Sequence, residues 1–195
     1  MFQPRGGGKR QAPTFDVIAP GIAKHEEEIV LAPGADPKSD PCLALRAAVA
    51  AAEFGLPIAP GTLQNLKSCP IDDRTWNDES RSLFLRLLAS GPALLQVWEE
   101  IDFVDIPGRL IPEWLAIRNR PSASAAHRYT IDRHSVEVVT RLGRETPRGN
   151  RYDDRHYQAL LLAGILHDVG KRPGVFRSCG GGCASCVHGV EAHGF

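Results

Sequence analysis

Residues 159–171 constrain this chain more than any other stretch. Ala159-Leu160-Leu161-Leu162-Ala163-Gly164-Ile165-Leu166 is a continuous apolar run that ends abruptly in His167-Asp168-Val169-Gly170-Lys171. Apolar side chains on every side predict a helix buried all round. Val169-Gly170 reads as its stop, with Gly170 suited to the left-handed conformation of a helix C-terminus. Such a helix delivers an imidazole and a carboxylate, at adjacent positions, into the interior. An ionised carboxylate there is costly unless it is paired or coordinates a metal. A divalent cation suits both groups, since His nitrogen and Asp oxygen are both first-row metal ligands.

A second histidine completes the pattern. Thr130-Ile131-Asp132-Arg133-His134-Ser135-Val136-Glu137-Val138-Val139 reads as an amphipathic helix with Thr130 as its N-cap. Ile131, His134, Val138 and Leu142 share one face, so His134 points where the core does. A polar linker over residues 143–154 lets two helices lie antiparallel and bring His134 near His167 and Asp168. Taken singly, His134 reads as an ordinary core or boundary histidine, and His-Asp as a chance dipeptide. The apolar helix and the second inward histidine together favour a metal site. A divalent ion such as Mg or Mn held there lowers the pKa of bound water and polarises a phosphoryl oxygen, which suits phosphodiester hydrolysis. Asp168 and Lys171 are the candidate catalytic groups. Lys171, just past the pair, is placed to stabilise charge developing on a phosphate. Arg128 has the fork to hold a phosphate bidentately, and reads equally as a surface-loop arginine.

These residues resemble a family. His127-Arg128-Tyr129-Thr130-Ile131-Asp132-Arg133-His134, with Leu161 through Lys171, looks like the HD phosphohydrolase domain of the bacterial bifunctional PII uridylyltransferase/uridylyl-removing enzymes. Residues 16–41, then Arg46 through Pro57, then Leu110-Ile111-Pro112-Glu113-Trp114, are similar to the segment between the two catalytic domains of those enzymes. The likeness is strongest in flavour to actinobacterial members, some of which adenylylate PII. It covers residues 14–171. The resemblance implies that His134, His167 and Asp168 match the first three metal positions. It implies a substrate, the PII signalling protein carrying UMP or AMP, and a role in nitrogen regulation.

Two departures go with it. The HD pattern needs a further aspartate on a later helix, and residues 172–195 contain none. The nucleotidyl-transferring half, with its Gly-Ser loop and Asp-x-Asp pair, has no counterpart here. Both gaps are those of a fragment with an out-of-frame tail. The alternative to a working hydrolase module is an inactive truncated remnant that folds or binds a partner without chemistry.

The remaining chain reads as mainly α. Residues 1–13 make a disordered basic leader around Gly6-Gly7-Gly8. Residues 14–41 make a short β hairpin, turning at Pro20-Gly21, and a turn-rich linker. His25 with Glu26, Glu27 and Glu28 is a solvated turn rather than a metal site, because consecutive exposed charges cannot converge on one ion. Residues 42–120 form a helical linker domain. Helices are expected over 43–54 with Gly55 as stop, over 60–66, over 80–89 capped by Asn77 or Asp78, from Pro92 through Ile101, and over 110–117. Trp76, Trp98 and Trp114 read as core. Residues 121–171 begin an incomplete HD-type helical domain.

Residues 172–195 form a Gly/Cys-rich tail expected to be disordered. Cys179, Cys183, Cys186 and His188 have the residue types for a zinc site, though chain-end glycine richness argues against one. Lys plus Arg and Asp plus Glu balance at 23 each, which provides no pull toward nucleic acid. No apolar run approaches a membrane span, and no hydrophobic signal segment opens the chain. A cytoplasmic protein is expected, with no nucleic-acid or membrane partner.

Overall fold

The computed structural model describes residues 14–72, 75–121, 129–145 and 155–170. The leader, Arg128, Lys171 and the Cys-rich tail with its zinc candidates lie outside the described residues. The chain is mainly α, with a small sheet near its N-terminal end.

Three strands, β1 (Asp16–Ala19), β2 (Ile22–His25) and β3 (Glu28–Leu31), pair antiparallel in the order β1-β2-β3. The expected hairpin is therefore a three-stranded meander. Besides its pairing with β2, the third strand meets a partner that local sequence does not reveal. The Ile29 N–H donates to the Pro57 carbonyl at 2.9 Å, and the Ala59 N–H donates to the Ile29 carbonyl at 2.9 Å. Gly21 makes the first turn with φ +74°, and a Cβ there would meet Leu43 Cδ1 at 2.6 Å. His25 closes β2, and Glu26 and Glu27 form an exposed turn, as expected for solvated charges.

The sheet lies on α1 (Leu43–Phe54), whose residues from Leu43 to Ala51 are all buried except Arg46. Alanine lets neighbours approach this helix from several sides. Its end at Gly55, with φ +64°, is the left-handed stop read from Gly-Leu-Pro. Arg46 ties three elements together. It holds Asp40 at 2.6 and 3.1 Å, Glu79 at 2.6 Å and the Pro20 carbonyl at 3.0 Å.

Beyond the short α2 (Pro60–Leu66) come α3 (Asp78–Leu88) and α4 (Ala93–Phe103). Asn77 caps α3, its Oδ1 accepting from the Ser80 N–H at 2.9 Å. The predicted helix over 110–117 is corrected. The chain instead forms α5 (Ile106–Leu110) and then a 3-10 turn over Pro112–Ala116. Pro112 has no N–H to continue the α ladder, so α5 must end before it.

Helices α6 (Ile131–Glu145) and α7 (Arg155–Leu166) complete the described fold. One core runs from Ile22 and Ile29 through α1, α3 and α4 to Val139, Leu161 and Ile165. Trp98 and Trp114 are buried in it, edge-to-face with centroids 5.1 Å apart, and Trp76 packs on its margin against Phe84. Among the described residues no helix is long and apolar enough to cross a membrane.

Candidate metal centre

The site is built where α6 meets α7. A Cβ on Gly164 would lie 3.1 Å from both Leu142 Cδ1 and Val139 Cγ2, so the two helices pack closely over this glycine. Just past the end of α7, His167 meets His134, which lies earlier in α6. Rising positions on one helix thus face falling positions on the other, which makes the pair antiparallel. Glycine inside an apolar helix costs about 1 kcal/mol relative to alanine. Gly164 within the leucine run is therefore a sequence signal of close approach.

The helix predicted to be buried all round is not. Tyr157, Leu161, Gly164 and Ile165 face the core, while Ala159 and Ala163 are exposed and Leu160 is 49% exposed. Among the described residues, its neighbours cover one side. The stop also differs from expectation. The helix ends at Leu166, and Gly170 is not among the left-handed glycines. The last α-type bond runs from the His167 N–H to the Ala163 carbonyl at 2.9 Å. The Val169 N–H then donates to the Leu166 carbonyl at 3.1 Å, a tighter closure. Neighbouring residues in an α-helix diverge and do not face each other. Leaving the helix at Leu166 lets His167 and Asp168 converge, with His167 Nε2 at 3.4 Å from Asp168 Oδ2.

The structure brings His134, His167 and Asp168 together. Each offers one ligand atom, and these atoms all lie within 4.8 Å of one another. Ligands at about 2.1 Å in tetrahedral geometry lie about 3.4 Å apart, so closing on a cation draws the widest-set pair together by up to about 1.4 Å. His167 Nδ1 lies 2.8 Å from the Gly164 carbonyl. A carbonyl only accepts, so Nδ1 carries the proton and Nε2 keeps its lone pair for a ligand bond. This is the orienting contact that metal-binding histidines make with their second nitrogen. The Asp168 side chain is 6% exposed against 38% for His167, so the carboxylate forms the floor and the imidazole the rim. His134 is half-buried, and its N–H donates to the Thr130 carbonyl at 2.9 Å to open α6. Among the described residues, the cluster comprises these three ligands.

The comparisons with known proteins agree with this region of the chain. Over 172 residues, 88% of its length, it is 39% identical to a protein of Streptomyces coelicolor. Over 159 residues it is 39% identical to one of Mycobacterium tuberculosis, and over 133 residues 35% identical to one of Corynebacterium glutamicum. All three relatives are bifunctional uridylyltransferase/uridylyl-removing enzymes. The resemblance read from the sequence, actinobacterial members included, therefore holds. The chain spans about a fifth of the length of these uridylyltransferase/uridylyl-removing enzymes: 20%, 19% and 18% respectively. No family model matches the chain, and no solved structure matches it.

Proposed function

We propose that this chain carries the metal-binding core of a phosphodiester-hydrolysing centre belonging to a PII-modifying enzyme. The substrate is PII bearing UMP or AMP, and the products are free nucleotide and unmodified PII. The observation that supports this most is the convergence of His134, His167 and Asp168 on one point. The relatives, named for both uridylyl transfer and uridylyl removal, supply the substrate class. A divalent ion such as Mg or Mn supplies a Lewis acid toward a phosphoryl oxygen and a nucleophile at neutral pH. His167 presents its Nε2 lone pair, with its ring held by the Gly164 carbonyl. Asp168 would offer a carboxylate oxygen to the same cation. Arg128 and Lys171 remain the proposed phosphate contacts by charge and sequence proximity. The setting is the cytoplasm.

A second reading is a module that binds PII without chemistry. It is favoured by the ligand count, since among the described residues no fourth His, Cys, Asp or Glu joins the cluster. One experiment separates the two. Purified chain is incubated with uridylylated and with adenylylated PII in MnCl2, and free nucleotide is measured. Release of UMP or AMP that vanishes in His167→Ala and with chelator supports hydrolysis. Capture of PII with no nucleotide release, unchanged by His167→Ala, sinks the hydrolase reading.

A further inference from the structure

The seam between α6 and α7 continues away from the metal ligands as an exposed strip. The rings of His134 and His167 meet at one end of it. Because the helices are antiparallel, the residue seven on from His134 comes opposite the residue seven back from His167. Those residues are Arg141 and Leu160. The register holds midway, where a Cβ on Gly164 would lie 3.6 Å from Val138 Cγ1. Seven residues of α-helix are about two turns and rise about 10.5 Å. Arg141 therefore stands on the side of α6 that carries His134, and Leu160 on the side of α7 that leads to His167.

This strip differs from an ordinary solvated face. Val138 is half-buried, while Ala163 and Leu160 are exposed, so the ground between its two ends is apolar. Arg141 is exposed and, among the described residues, makes no hydrogen bond or ion pair. Arg133, on the same helix, is by contrast engaged by Glu99 and Glu137. Helical side chains lean toward the N-terminus of their own helix. Leu142 does so here, its Cδ1 coming as near to the Gly164 position as Val139 Cγ2 does from the turn before. The same lean directs the Arg141 guanidinium back along the seam, toward His134.

We propose that this seam holds the nucleoside of the nucleotide whose phosphate meets the metal ligands, with Arg141 as the contact for its base. The proposal rests on the metal-centre reading given above. With the phosphate at His134, His167 and Asp168, a nucleoside laid along the seam ends two helical turns away, between Arg141 and Leu160. Its ribose and one face of its base cover Val138, Ala163 and Leu160, removing apolar surface from water. The guanidinium is a planar fork of N–H donors that also stacks on aromatic rings. Uracil and adenine both offer such a group a flat ring and in-plane acceptors. A folded protein partner fits less well, since stable protein interfaces bury about 800 Å² on each side, far more than this strip presents.

The test is calorimetry on the full chain in MnCl2, with UMP, AMP and inorganic phosphate as probes. Wild type is expected to bind UMP or AMP more tightly than phosphate. Arg141→Ala should weaken the nucleotide about tenfold, the scale of one charge-assisted hydrogen bond, and leave phosphate unchanged. Arg141→Lys keeps the charge without the planar fork and should recover little of the loss. Leu160→Ser should weaken the nucleotide by a smaller factor, again with phosphate unchanged. Three results overturn the proposal while the metal centre stands: Mn binds but nucleotide affinity does not exceed that of phosphate; Arg141→Ala binds nucleotide as wild type does; or Arg141→Ala loses phosphate and nucleotide alike. Unmodified PII that binds through Arg141, with nucleotide affinity unaffected by Arg141→Ala, overturns it in favour of a protein partner. Failure of wild type to bind Mn at all overturns the metal-centre reading and this proposal together.

Discussion

The rings of His134 and His167 stand edge-to-face at 72°, with centroids 5.5 Å apart, on two antiparallel helices. Neither helix alone makes a site. The first contributes one imidazole, and the turn that follows the second contributes an imidazole and a carboxylate. The consequences for metal affinity, packing and chemistry can each be measured.

The most direct concerns the cation itself. MnCl2 at a hundred times its Kd should stabilise the wild-type chain by about 2.7 kcal/mol, by mass action on the folded state. His134→Ala, His167→Ala and Asp168→Asn should each abolish most of that gain. Thermal melts with and without metal check this. An equal rise in Tm in wild type and all three variants would place the metal elsewhere.

Gly164 is the contact on which the site depends. Gly164→Val would drive a branched side chain into Leu142 and Val139, which lie 3.1 Å from the position of a Cβ. Overpacking of this kind costs about 1–3 kcal/mol. The helices should part, and metal affinity should fall with stability. Urea denaturation measures the first effect and calorimetry with MnCl2 the second.

Gly143 serves the same purpose against a different neighbour. A Cβ there would meet Gly91 N and Cα at 2.7 Å, and backbone cannot swing aside as a side chain can. Gly143→Ala should destabilise by about 1–3 kcal/mol even though alanine is the better helix former. A stability equal to wild type in urea would show that α6 can shift along the turn between α3 and α4.

Arg46 joins the sheet, α1 and α3. Burial lowers its proton affinity, yet hydrogen bonds from its guanidinium to Glu79 and Asp40 more than offset this and push its pKa above the ordinary value. Arg46→Met keeps much of the stem and removes the charge, leaving Asp40 and Glu79 without this partner. Both carboxylates retain contact with water, so the loss should be about 2 kcal/mol rather than the 3–5 of a fully buried pair. Chemical denaturation tests the figure.

The buried thiols set an alkaline limit. Burial raises Cys69 from 9.0 to about 11, and burial likewise raises Cys42. The folded chain holds these protons more tightly than the unfolded one. The associated stability is full below pH 9 and is lost as pH climbs through about 11. Denaturation midpoints should fall across that window, and less steeply in Cys69→Ala. Of the five cysteines, Cys42 and Cys69 should resist iodoacetamide in the native chain at pH 8, as peptide mapping will show.

Short-range physics made much of this chain legible from sequence. Gly55 ends α1 and Asn77 caps α3 because backbone conformation and capping are decided within a few residues. The identities of His134, His167 and Asp168 as ligand candidates, and the resemblance to uridylyl-removing enzymes, were also present in the chain as written. Tertiary structure alone decided the rest. β3 pairs with β2 and also bridges to Ile58, a contact across the chain that local sequence does not show. Leu160 is exposed because the described neighbours cover one side of α7, which composition cannot indicate. His167 and Asp168 lie in the turn after Leu166, because the helix ends there and not at Gly170. Periodicity states which residues share a face; only packing determines what that face meets.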